Sequence, residues 1–93
     1  MAITVKFVGA LRHAAGNDTR VVYCGECSVK ELICTLTRRK PELRRNLIDD
    51  ELEASRPNAL ILVNGKEISV MNGLNTALKD GDKVVLVPVA HGG

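Results

Sequence analysis

Two thiols three residues apart, in Cys24-Gly25-Glu26-Cys27, are the most conspicuous reactive pair in this 93-residue chain. They stand just ahead of a helix signal, where a helix amino terminus lowers a thiol pKa, and the spacing suits thiol–disulfide exchange. Both precede the helix cap rather than open the helix, and the chain has no tryptophan to stand beside them. Packing and turn roles therefore remain beside the redox reading. A zinc site needs four ligands, and the only further candidates are Cys34, His13 and His91. His13 has no serine or carboxylate at a recognisable spacing and reads as a surface residue. Asp80-Gly81-Asp82 lacks the ligand repeat and closing glutamate of a calcium loop, so it reads as a turn. Gly9, Gly16, Gly65 and Gly73 are isolated, which excludes a phosphate-cradling glycine loop.

The remaining candidate is the carboxyl end, Pro88-Val89-Ala90-His91-Gly92-Gly93. Gly92 and Gly93 carry no β-carbon, so such an end can enter a narrow channel and approach a nucleotide bound by another enzyme. The stretch from Pro88 onward can extend roughly 20 Å. A carboxylate is a poor electrophile and needs a better leaving group before sulfur or an amine can attack it. Adenylation by a partner would provide that group. The expectation is a flexible tail over 88–93, attached to a single domain spanning 1–93.

The elements that must deliver this end follow from the pattern. Ile3, Val5 and Phe7 alternate with Thr4 and Lys6, the period of a half-buried strand. Gly9 to Asp18 is rich in turn formers and predicts a loose connection, after which Thr19 to Cys24 resumes as a β-branched strand antiparallel to the first. Ser28 and Glu31 have the spacing of a capping box. Val29, Leu32, Ile33 and Leu36 then form one apolar stripe, before Pro41 discourages continuation. Arg38, Arg39 and Lys40 suit the negative end of that helix dipole. Glu42 to Pro57 is irregular in pattern and is left without an assigned structure. Ala59 to Val63 predicts a strand, Asn64-Gly65 a hairpin turn, and Lys66 to Val70 the return strand. Leu74 and Leu78 can anchor a single turn before Asp80-Gly81-Asp82 reverses the chain into the last strand, from Lys83.

This order places the last strand in the middle of a mixed sheet, parallel to the first. The fold class is α+β, a ubiquitin-like β-grasp with about five strands packed on one main helix.

Composition narrows the function classes. The net charge of +2 arises from 13 basic and 11 acidic residues, and Phe7 and Tyr23 are the only aromatics, so stacking platforms for nucleic acid are scarce. The basic run Arg38, Arg39, Lys40, Arg44, Arg45 is followed by Asp49, Asp50, Glu51 and Glu53, which offset it. No apolar run approaches the about 20 residues of a membrane span, and no export signal opens the chain, so neither membrane nor nucleic acid is expected as a partner and the cytoplasm is the expected location.

Several stretches resemble the ubiquitin-like sulfur carriers and modifiers: the small subunit of molybdopterin synthase (the MoaD family), the thiamine sulfur carriers (the ThiS family) and the small archaeal modifier proteins. The resemblance is sharpest over Leu62-Val63-Asn64-Gly65, Leu74, Leu78, Asp80-Gly81-Asp82-Lys83-Val84 and Pro88 through Gly93, with Leu11-Arg12 and Ala14-Ala15-Gly16 resembling an L-R-x-x-A-G opening. It implies that the chain is no enzyme and binds no permanent cofactor. Gly93 would be adenylated by a ubiquitin-activating-type enzyme using ATP and magnesium, with Gly92 giving the slim approach. A sulfur donor would then yield a thiocarboxylate, or a target-protein lysine an isopeptide bond. Val87, Pro88, Val89, Ala90 and His91 would dock on partners. Where MoaD-like tails carry two aromatics and a Pro-Pro pair, this chain has Leu86-Val87 and Pro88-Val89, which puts contact with a molybdopterin-synthase large subunit in question.

Two other classes compete: a small thiol–disulfide redox protein using Cys24 and Cys27, and an interaction module with no tail chemistry. A last expectation concerns docking. Alternation sends Val85, Val87 and Val89 to one face of the final strand and Val84 and Leu86 to the other, and one helix can cover only one of them.

Overall fold

A computed structural model describes residues 1–38, 40–47 and 59–88. The chain runs β1 (Ala2–Phe7), α1 (Ala10–Ala15), β2 (Thr19–Tyr23), α2 (Val29–Thr37), α3 (Pro41–Leu47), β3 (Ala59–Val63), β4 (Lys66–Glu67) and β5 (Lys83–Pro88), with short 3-10 turns at Ile68–Val70 and Gly73–Asn75. The strands form one sheet in the order β2-β1-β5-β3-β4. β1 pairs antiparallel with β2 and parallel with β5, and β3 pairs antiparallel with both β5 and β4. This is the β-grasp arrangement expected from the pattern, with the last strand central.

The period-two alternation of β1 puts Ile3, Val5 and Phe7 on the buried face, in register with Val84 and Leu86 of β5 and Ile61 and Val63 of β3. The apolar stripe of α2, with Val29, Leu32, Ile33 and Leu36 all buried, joins the same core. Helix α2 starts where the capping box places it. The Glu31 backbone N–H donates to Ser28 Oγ at 3.3 Å, and the Ser28 N–H donates to Glu31 Oε1 at 3.2 Å. A cap of this kind contributes about 1 kcal/mol by satisfying amides that have no intrahelical partner.

Three local expectations change. The connection from Gly9 to Asp18 is a helical turn rather than a loose loop: Leu11 and Ala15, four apart, bury one face of α1, and Gly16 ends it in the left-handed region at φ 85°. The irregular stretch after Pro41 begins as helix α3. Pro41 holds its first position, where the missing N–H costs nothing, and Leu43 is fully buried. The remainder of that stretch, residues 48–57, lies outside the described residues. The return strand stops after Glu67 because the Glu67 carboxylate accepts the Ser69 N–H, turning Ile68–Val70 into a 3-10 turn that delivers Ile68 to the core.

Lys40 has a different job from the one expected. The Lys40 ammonium donates to the Ala15 carbonyl at 2.7 Å, so it neutralises the carboxyl end of α1 rather than that of α2. Arg39 lies outside the described residues. The Leu74–Leu78 anchor is split: Leu74 is half-buried in the 3-10 turn, while Leu78 is buried just beyond the bridge between Ser28 and Ala77. Among the described residues, no helix is long and apolar enough to cross a membrane.

Candidate functional site

The last strand is fixed at both ends by backbone geometry. At its start, Asp80-Gly81-Asp82 forms a turn whose carboxylates are occupied by neighbouring N–H groups. Asp80 Oδ1 accepts from the Ala2 amide at 2.7 Å and Asp82 Oδ2 from the Lys79 amide at 2.8 Å. The Asn64 side chain bridges from the hairpin, donating to Asp82 Oδ1 at 2.9 Å and accepting the Lys83 N–H at 3.0 Å. These oxygens serve the turn, as the sequence reading of this tripeptide expected.

At its end, β5 reaches Pro88, which stands opposite Ala59 on β3. On the β1 side the Val8 N–H donates to the Leu86 carbonyl at 3.0 Å, and the chain then leaves β1 at Gly9 with φ 62° and ψ −135°. A β-carbon built on Gly9 would lie 3.1 Å from Pro88 Cγ. Glycine is therefore needed there twice, for a positive φ and for the close approach of the proline ring. Pro88 has no N–H to continue a ladder, so the sheet ends in agreement with its chemistry.

The two faces of β5 differ as the alternation requires. Val84 and Leu86 are fully buried under the helices, whereas Val85 and Val87 are only half-buried on the opposite face. The outer face is the one the helices leave uncovered. Register extends it onto β3, where Leu62 stands opposite Val85 and Leu60 opposite Val87. Leu60 is 37% exposed. Leu60 and Leu62 were missed in the sequence because Ala59 to Val63 is apolar at every position. The usable signal was that a strand apolar on both faces, with helices on only one, must leave one face bare. Farther across the same face, Val21 and Tyr23 of β2 are 45% and 81% exposed.

The other candidate residues are dispersed. His13 is exposed on α1, and Cys34 is exposed on α2. Cys24 and Cys27 are brought together, with Sγ to Sγ at 3.3 Å and both thiols free and partly buried. Burial, followed by the neighbouring Cys24 thiol, pushes the Cys27 thiol up to about 11 from its ordinary 9.0. Among the described residues, no three of His, Cys, Asp or Glu gather where they could hold a metal ion. Val89, Ala90, His91, Gly92 and Gly93, expected to form the tail, lie outside the described residues.

What this geometry presents is a central strand ending at a proline, beside an uncovered apolar face. The ThiS family model matches residues 5–93 of the chain. Small archaeal modifier protein 3 of Haloferax volcanii is 28% identical over 96 residues, covering 100% of each chain. The solution structure of small archaeal modifier protein 1 from Methanosarcina acetivorans is 30% identical, with a TM-score of 0.80 over 99% of this chain and 96% of that one. The crystal structure of a BexX/CysO complex from Amycolatopsis orientalis contains a chain 25% identical, with a TM-score of 0.73 over 98% of this chain and 99% of that chain.

Proposed function

The chain belongs to the ThiS family, and from that membership we propose that it is a ubiquitin-like sulfur carrier or protein modifier whose Gly93 carboxylate is activated by a partner enzyme. It is the substrate of that step rather than its catalyst. One observation carries the reading: the central strand β5 ends at Pro88, and the family match continues from there through Gly92 and Gly93. The relatives named as small archaeal modifier proteins support it.

The chemistry begins with attack of a carboxylate oxygen of Gly93 on the α-phosphorus of ATP, releasing pyrophosphate and leaving an acyl adenylate. Magnesium held by the partner would offset the phosphate charge. Attack by hydrosulfide, supplied by a sulfur donor, on the acyl carbon then expels AMP and leaves a thiocarboxylate. Attack by a target lysine amine, in the modifier role, leaves an isopeptide bond. This chain contributes Gly93 as reacting residue, Gly92 as the unbranched approach, and Val89, Ala90 and His91 as the segment that lines the partner's channel. Val85, Val87, Leu60 and Leu62 supply the apolar face against which an adenylating enzyme would seat. A molybdopterin-synthase-type large subunit is the further partner proposed for the sulfur route. We place these steps in the cytoplasm, where free thiols such as Cys24, Cys27 and Cys34 persist.

The test is incubation with a ubiquitin-activating-type enzyme, ATP, magnesium and a sulfur source, read by intact mass. Replacement of one oxygen by sulfur at Gly93, lost on deletion of Gly92 and Gly93, is the expected result. The tryptic remnant of this chain, Val84 through Gly93, on lysines of other proteins would mark the modifier role. An unchanged mass together with no such remnants would sink the proposal.

A further inference from the structure

Cys24 and Cys27 play no part in the tail chemistry, and their placement is more ordered than a loose turn would need. Cys24 is tied to the start of β1 from both sides of its peptide: its N–H donates to the Met1 carbonyl at 2.9 Å, and its carbonyl accepts the Met1 ammonium at 2.6 Å. Cys27 is held on the other side, its carbonyl accepting the Leu78 N–H at 2.9 Å. The two sulfurs are thus brought within 3.3 Å by separate anchors, one in the sheet and one at the helix joint. A disulfide requires about 2.05 Å, so the pair must close by little more than 1 Å. The residues between can yield: Gly25 and Glu26 are exposed, and a β-carbon at Gly25 would meet nothing within 4 Å.

We propose that Cys24 and Cys27 form a reversible dithiol–disulfide site that exchanges with low-molecular-weight disulfides. A thiolate of the pair attacks one sulfur of the small disulfide and releases one small thiolate. The second thiol of the pair loses its proton to solvent and attacks the protein sulfur of the mixed disulfide. The second small thiolate leaves and is protonated by solvent. Two protein thiols are oxidised to one disulfide, and one small disulfide is reduced to two thiols. Closure is favoured by proximity, because the second sulfur already lies 3.3 Å from the first.

The site is independent of the carboxyl end. Tyr23, next to Cys24, pairs with Ala2 at the start of β1, whereas Pro88, the last residue of β5, lies beyond Phe7 and Leu86 at the far end of that strand. Five residues of strand separate the two ends, about 17 Å.

The experiment treats the full chain, reduced and then freed of reductant, with oxidised glutathione, and maps the peptides by mass. The peptide or peptides carrying Cys24 and Cys27 should be lighter by two hydrogens, and Cys34, exposed on α2, should carry a glutathione adduct instead. Dithiothreitol should reverse both. Cys34→Ser should still close the ring, and Cys24→Ser and Cys27→Ser should each abolish it while retaining native circular dichroism. Separate glutathione adducts on Cys24 and Cys27, or reaction confined to Cys34, would overturn the proposal.

Discussion

Gly9 and Pro88 face each other across the end of the parallel β1–β5 ladder, so closely that a β-carbon on Gly9 would stand 3.1 Å from Pro88 Cγ and the proline ring would have to give way by a few tenths of an ångström. Gly9→Ala therefore introduces both an unfavourable positive φ and a tight contact with the proline ring. Backbone strain of that kind costs about 1–3 kcal/mol. Gly65→Ala, also at positive φ but with open space around it, isolates the backbone part. Urea unfolding should show a larger loss for Gly9→Ala than for Gly65→Ala, and equal losses would remove the contact from the account.

The two faces of β5 should respond oppositely to substitution. Leu86→Ala empties a fully buried site and is expected to cost about 2–5 kcal/mol of stability. Val87→Lys with Leu60→Glu, opposite charges facing each other across the two strands of the uncovered face, should change stability by less than about 1 kcal/mol. The same pair should raise the KM for adenylation by about tenfold, which is 1.4 kcal/mol of docking energy. Unchanged KM in the double variant would place the enzyme contact elsewhere.

Ser28→Ala removes the oxygen that accepts the Glu31 N–H and begins α2. A loss of about 1 kcal/mol is expected from denaturant unfolding. Ser28→Asp should retain most of that stability, because an aspartate oxygen fills the same capping role.

The Cys27 thiol gives a pH signature. In the unfolded chain it ionises near its ordinary 9.0, whereas in the fold burial and the Cys24 thiol hold it protonated to about 11. The unfolded state thus loses this proton first, and the fold loses stability as pH rises from 9.0 toward 11, with no contribution from Cys27 below that window. Comparing unfolding midpoints of the parent chain and Cys27→Ser across this range should show a shallower decline in the variant. Iodoacetamide should also modify exposed Cys34 before partly buried Cys27.

The elements legible in the sequence were those whose signal is complete within a few residues. The Ser28–Glu31 box, the 29–36 apolar stripe and Asn64-Gly65 each specify their own geometry, and strand order followed from placing them. Helix α1 was hidden because Leu11 and Ala15 supply only one turn of periodicity among glycines and polar residues. The shortening of β4 depends on Glu67 folding back on Ser69, a choice between two satisfied backbones that composition does not decide. Lys40 was assigned to the wrong helix end because its partner, Ala15, is 25 residues away in sequence. For the site, alternation correctly separated Val84 and Leu86 from Val85 and Val87, but which set faces water depended on the side to which α2 packs.

The central place of β5 has a mechanical meaning. A pull applied at Pro88 along the strand is borne at once by the bonds to β1 and to β3, which are loaded in shear and must fail together. An edge element such as β4, two residues long and paired on one side, would instead peel away bond by bond. Traction on the carboxyl end, whether from an enzyme drawing the carboxylate inward or from a translocating motor gripping a conjugate, therefore meets the most force-resistant part of the molecule.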